Sequence, residues 1–197
     1  MRKNVWLLLI IALGCLFFCQ SCEAKGRVDR VLASLSPGEQ LGQLFFLAFD
    51  GKVVTPEMKQ WILKRNIGGI ALFAKNAASP DALRELTASL QNLARERPGQ
   101  ETVPLFLATD HEPGGFMAFR FGYTFAGPRR LVQEGGEKAI IRAAQLLSGD
   151  LAAWGFNMNF FPVLDVARSD GSSVFDYRCL SSDPEKVAGL GVKLLRI

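Results

Sequence analysis

Val103-Pro104-Leu105-Phe106-Leu107-Ala108-Thr109 runs directly into Asp110-His111-Glu112-Pro113-Gly114-Gly115. An apolar run of strand length that stops at a charged cluster and a glycine pair is the signature of a buried strand ending in a functional loop. The same pattern occurs at three other places. Residues 44–49 are apolar and end at Asp50-Gly51, residues 68–73 end near Lys75-Asn76, and residues 157–166 include Asp165 at their end. These runs are nearly continuous in apolar character rather than alternating, as expected for strands covered on both faces.

Helices separate the four runs. Ser36-Pro37-Gly38-Glu39 predicts a lead-in helix with a capping box, and Thr55-Pro56, Ser79-Pro80 and Asp183-Pro184 open three more. Residues 137–153 carry Ile140, Ala143, Ala144, Leu147 and Leu151 on one side of a helix. Strands alternating with helices imply an α/β chain with a parallel sheet. A doubly wound sheet and part of a (β/α)8 barrel both fit. Polar or charged residues at the end of every strand favour the barrel, whose sites lie at the C-terminal ends of its strands. Gly114-Gly115 completes no dinucleotide fingerprint and no Walker sequence occurs.

The 197 residues are 49% hydrophobic and 21% charged, with a formal charge of +4 and a mean hydropathy of +0.15. This excludes a disordered chain, and four Cys are too few for a disulfide scaffold. Residues 1–24 read as an export signal: Arg2 and Lys3 precede an apolar stretch over 7–19 that is short for a membrane span. Ser21-Cys22 resembles a relaxed lipobox, which predicts lipidation of Cys22 and a membrane contact only through the signal or the lipid. The expected location is outside the cytoplasm of a bacterium, periplasmic or as a membrane-anchored lipoprotein. Residues 25–197 then form one domain. With Cys15, Cys19 and Cys22 in or beside the signal, Cys179 is a lone thiol. No zinc site, other metal or cofactor is expected. No nucleic-acid patch is expected either, since Arg129-Arg130 and Arg95 to Arg97 read as solvated surface.

Asp110 and Glu112 are candidate paired carboxylates, although their spacing is read as placing them on opposite sides of the strand end. Asp110 alone suits a polyol, because one carboxylate accepts two hydroxyl hydrogen bonds. His111 is the single His, and its ordinary reading is a loop or core residue rather than a base.

Four segments together resemble the N-terminal domain of glycoside hydrolase family 3, of the bacterial β-N-acetylhexosaminidase type. Gly68-Gly69-Ile70-Ala71-Leu72-Phe73-Ala74-Lys75-Asn76 is similar to its G-G-I-x-L-F-x-[RK]-N, and Asp110-His111-Glu112-Pro113-Gly114 to its D-x-E-G-G turn. Asn157 through Val166 is similar to N-x-x-F-x-P-V-x-D-V, and Arg178 through Pro184 to R-x-[FY]-x-x-D-P. The resemblance covers the chain from about Glu39 onward and implies the N-terminal half of a (β/α)8 TIM barrel, about four βα units. It implies a retaining glycoside hydrolase acting on N-acetylhexosamine-containing glycans, with an Asp nucleophile and a His acid/base. It also implies substrate-binding roles for Asp110 and Arg178, with Arg120, Asp165 and His111 as further candidates. The family's binding Arg, eight residues beyond Asp110, is replaced by Ala118, and Pro113 stands in the glycine turn. The family's K-H-F-P-G-H-G segment and its nucleophile Asp have no counterpart in the sequence. The chain is therefore expected to be an N-terminal fragment, inactive alone and completed by a separately encoded C-terminal half. The alternatives are a non-catalytic sugar-binding lipoprotein and a decayed gene product.

Overall fold

The computed structural model describes residues 26–97, 103–168, 173 and 175–197. The signal and Cys22 lie outside the described residues. A first helix, α1, covers 26–34. It is followed by α2 (Pro37–Gly42), β1 (Phe46–Leu47), α3 (Pro56–Arg65), β2 (Gly69–Ala71), α4 (Pro80–Arg95), β3 (Phe106–Thr109), α5 (Pro128–Ala153), β4 (Met158–Asn159) and α6 (Pro184–Leu194). The strands form one sheet in the order β1-β2-β3-β4, and every neighbouring pair is parallel. This is the topology of successive βα units in a barrel wall.

The helix starts follow their sequence signals. Ser36 Oγ accepts from Glu39 N while Ser36 N donates to Glu39 Oε2 at 2.8 Å, closing the capping box of α2. Thr55 caps α3, Ser79 caps α4 and Asp183 caps α6 through side-chain oxygens, each with Pro in the first turn. The helix expected over 137–153 begins earlier, at Pro128, and continues across a break at Gly136, where φ is +65°.

Alternation along the strands splits the sheet into two faces. Ile70, Leu72, Leu105 and Leu107 are fully buried against α3, α4 and the end of α5, with Ile62, Leu83, Leu90 and Trp154 in the same core. A second cluster of Ile140, Leu180, Val187 and Leu190 joins α5 to α6. The opposite face carries Phe46, Phe106 and Phe160, respectively 38%, 50% and 46% exposed. Phe46, Gly69 and Phe106 stand in one row of the ladder. The Phe46 ring occupies the space a side chain at Gly69 would need, since a Cβ there would lie 2.3 Å from it. Phe46 and Phe106 therefore stack at 5.9 Å. Covering on both faces, expected from the continuous apolar runs, is thus met on the helix side alone among the described residues.

The ladders are shorter than the apolar runs because side-chain amides take over backbone partners. Asn157 Oδ1 accepts from Leu107 N at 2.8 Å and its Nδ2 donates to Leu105 O at 2.9 Å. Asn76, fully buried, donates to Phe49 O and Gly51 O and accepts from Phe73 N. One amide thereby fixes the loops leaving both β1 and β2.

Arg97 corrects the reading of Arg95 to Arg97 as solvated surface. Its guanidinium is buried and donates to the carbonyls of Ile62, Ile67 and Val103 at 3.2, 2.7 and 3.1 Å. Loss of hydration pulls its pKa down to about 10.

Candidate functional site

β3 ends at Thr109, and the chain then turns back on itself over residues 110–118. Glu112 N donates to Phe116 O, Ala118 N donates to Asp110 O, and His111 pairs antiparallel with Met117. Gly114 makes the turn with φ +88°, and a Cβ there would come within 2.7 Å of Gly127 Cα. Gly127, the cap of α5, in turn lies close to the Tyr177 carbonyl. Three segments distant in sequence, residues 110–118, the start of α5 and the turn Asp176–Arg178, therefore meet at this end of the sheet.

Arg178 and Glu112 are the centre of that meeting. Arg178 Nε donates to Glu112 Oε2 at 3.1 Å and Nη2 donates to Oε1, a two-point ion pair. Glu112 is 1% exposed and the Arg178 side chain 26%. The flat face of the guanidinium lies 4.2 Å from the Phe116 ring centre, and Phe116 stacks on Tyr177. The bond to Glu112 holds the Arg178 pKa above its ordinary value, with Asp110 contributing a smaller attraction. Asp110 is half-buried, and its carboxylate has no hydrogen-bond or ion-pair partner among the described residues.

Arg178 thus brings the two carboxylates into one place. The reading that placed Asp110 and Glu112 on opposite sides is corrected, because residues two apart on an extended chain share a side. Glu112 was not singled out as a partner of Arg178. The available signal was its position two residues from Asp110 and the family turn that contains both.

His111, a sequence candidate for the substrate site, lies in the core instead. It alternates with its neighbours and points inward, with 0% exposure. Its ring sits edge-on to Trp154 at 5.6 Å and 6.4 Å from Phe119. Neither ring nitrogen has a hydrogen-bond partner among the described residues. Burial lowers its pKa to about 4, against a weaker opposing pull from Asp150. Its backbone is held at both polar atoms by Asn159, whose Oδ1 accepts from His111 N and whose Nδ2 donates to His111 O, each at 3.0 Å. Asn159 was missed as a supporting residue; its place in the Asn157-Met158-Asn159 repeat on the adjoining strand was the only signal.

Arg120 and Asp165 are both exposed. Neither makes a hydrogen bond or ion pair with Asp110 or Arg178. Asp165 does lie in the same electrostatic neighbourhood, since it acts on the Cys179 thiol together with Asp176, Arg129 and Arg178. Cys179 is a free and buried thiol, raised in pKa chiefly by that burial. Asp176 accepts from Arg168 N and orders the turn before Arg178. No group of three or more His, Cys, Asp or Glu with metal-ligand geometry occurs among the described residues.

Comparison with known proteins gives one answer. Residues 38–196 match the glycosyl hydrolase family 3 N-terminal domain. A β-hexosaminidase of Nitrosomonas eutropha is 35% identical over 136 residues, 66% of this chain and 37% of the relative. One from Tolumonas auensis is 30% identical over 147 residues, 73% of this chain and 41% of the relative. Among solved structures, a glycoside hydrolase family 3 β-N-acetylglucosaminidase from a Paenibacillus species superposes with a TM-score of 0.75 at 32% identity. That match covers 82% of this chain and 30% of the other. NagZ from Neisseria gonorrhoeae superposes with a TM-score of 0.62 at 30% identity, covering 76% of this chain and 44% of the other. The chain spans about two fifths of the curated relatives it matches. Its four parallel βα units are the α/β fold of part of a TIM barrel, and the chain belongs to the glycosyl hydrolase family 3 N-terminal domain family.

Proposed function

We propose that this chain provides the sugar-holding part of a β-N-acetylhexosaminidase site and hydrolyses no glycoside alone. The observation that supports this most strongly is the fixed Arg178 fork at the C-terminal end of β3, with Asp110, which has no hydrogen-bond or ion-pair partner among the described residues, acting on it. Asp110 accepts hydrogen bonds from ring hydroxyls, and Arg178 donates to a hydroxyl or acetamido oxygen of a terminal N-acetylhexosamine on a cell-wall-type glycan. The nucleophile and the acid/base are supplied by βα units beyond these four. Those units also cover Phe46, Phe106 and Phe160. The names of the relatives support the substrate class. Export, and lipidation at Cys22, belong to the same proposal and rest on the sequence of residues 1–24.

The test is hydrolysis of a chromogenic N-acetyl-β-glucosaminide by the full chain, with and without a co-expressed C-terminal half of a relative. We expect turnover in the complemented sample only, lost in Asp110→Ala. Turnover by the chain alone, or a co-purified complex that turns over nothing, would overturn the proposal. A non-catalytic sugar-binding role is favoured instead if the chain binds N-acetylglucosamine and no complementing half restores turnover.

A further inference from the structure

Arg178 is held on two sides before any ligand arrives. Glu112 occupies its Nε and Nη2 edge, and the Phe116 ring lies under its face. The Nη1 atom is left without a hydrogen bond among the described residues. A bare guanidinium in a cleft is a two-point receptor for carboxylates and phosphates. Here that edge is already filled by a carboxylate that is 1% exposed.

We infer that Glu112 is a specificity-determining residue that closes Arg178 to anionic ligands and leaves the site selective for neutral sugars. The inference rests on the sugar-holding role proposed above and adds the charge class of the ligand. An incoming carboxylate or phosphate must displace Glu112 or share its guanidinium. Displacement strands a buried charge without a partner, which is strongly unfavourable. Sharing places two anions on one cation. The surroundings add to the exclusion. Asp110 also acts on Arg178, and Asp165 and Asp176 act on the adjoining Cys179. Among the described residues, the guanidiniums that act on Cys179 are Arg129 and Arg178. A neutral hydroxyl or amide oxygen meets no such opposition at Nη1, and its hydroxyl neighbours can donate to Asp110.

The experiment titrates the full chain with N-acetylglucosamine and with glucuronate, following the Arg178 Nε–H resonance, in the wild type, Glu112→Gln and Glu112→Asp. In the wild type, glucuronate is expected to leave the resonance unmoved at ten times the concentration at which N-acetylglucosamine shifts it. Glu112→Gln gains glucuronate affinity by at least tenfold, whereas Glu112→Asp, which keeps the charge, retains the exclusion. A change in fold alone would weaken both ligands together and would not invert their order. Wild-type binding of glucuronate as tight as that of N-acetylglucosamine overturns the inference, as does a folded Glu112→Gln chain that gains no anion binding. If Glu112→Gln shows no cooperative melt, the wild-type glucuronate titration decides: a shift at Arg178 overturns the inference and its absence at that concentration supports it. If N-acetylglucosamine binds none of the three proteins, the sugar-holding role falls. The glucuronate titrations still decide the role of Glu112 in that case.

Discussion

His111 and Glu112 are adjacent in sequence and have opposite fates. The first is inserted into the core as a neutral ring, and the second is buried as a charge with its own cation. The His111 pKa lies near 4 in the fold, against about 6.5 in an unfolded chain. Between these values the unfolded state binds the proton and the folded state does not, so stability falls as pH drops from 6.5 to 4 and levels off below that. The contribution is about 3 kcal/mol across the window. Urea midpoints measured at pH 7 and at pH 4 should show it, and His111→Phe should remove most of that difference. Arg97→Ala deletes three hydrogen bonds to buried and part-buried carbonyls and should cost about 3 kcal/mol in the same assay, at an average of about 1 kcal/mol per bond. The ordinary reading of a lone His was sound for His111. Nothing local in the sequence distinguishes Arg97 from its exposed neighbour Arg95, because its burial depends on carbonyls contributed by α3 and by the residues before β2 and β3.

The elements were legible where their signals are local. The caps at Ser36, Thr55, Ser79 and Asp183 use side chains within three residues of the helix start, and each is present. Strand order follows from chain order in a βα series. The contacts made by amide side chains were not legible, because Asn76, Asn157 and Asn159 reach across 25 to 52 residues of sequence. Asn159 is the most consequential of them, since it pins the backbone of the residue between Asp110 and Glu112. Asn159→Ala should lower stability by about 2 kcal/mol, the sum of two ordinary hydrogen bonds. It should also accelerate amide hydrogen exchange at His111 by more than at Leu90 in α4, which a uniform loss of stability would not do.

At the scale of the molecule, the sheet has a packed helix side and a side, uncovered among the described residues, carrying Phe46, Phe106 and Phe160. Grooves run along both outer strands, one lined by Leu47, Thr55, Met58 and Trp61 beside β1, the other by Leu151, Phe156, Met158 and Ile197 beside β4. Phe106→Asp should cost the chain about 1 kcal/mol, the value of its aromatic stack, because half of the ring is already in water. The same substitution should abolish complementation by a C-terminal half, where that ring would enter an apolar interior. The central claim is that Asp110 and Arg178 hold the sugar, and titration of the full chain with N-acetylglucosamine tests it most directly. The account predicts a saturable response in the wild type and a flat titration for an Asp110→Ala variant with an unchanged melting temperature. A flat wild-type titration, or binding that survives Asp110→Ala unchanged, would contradict it.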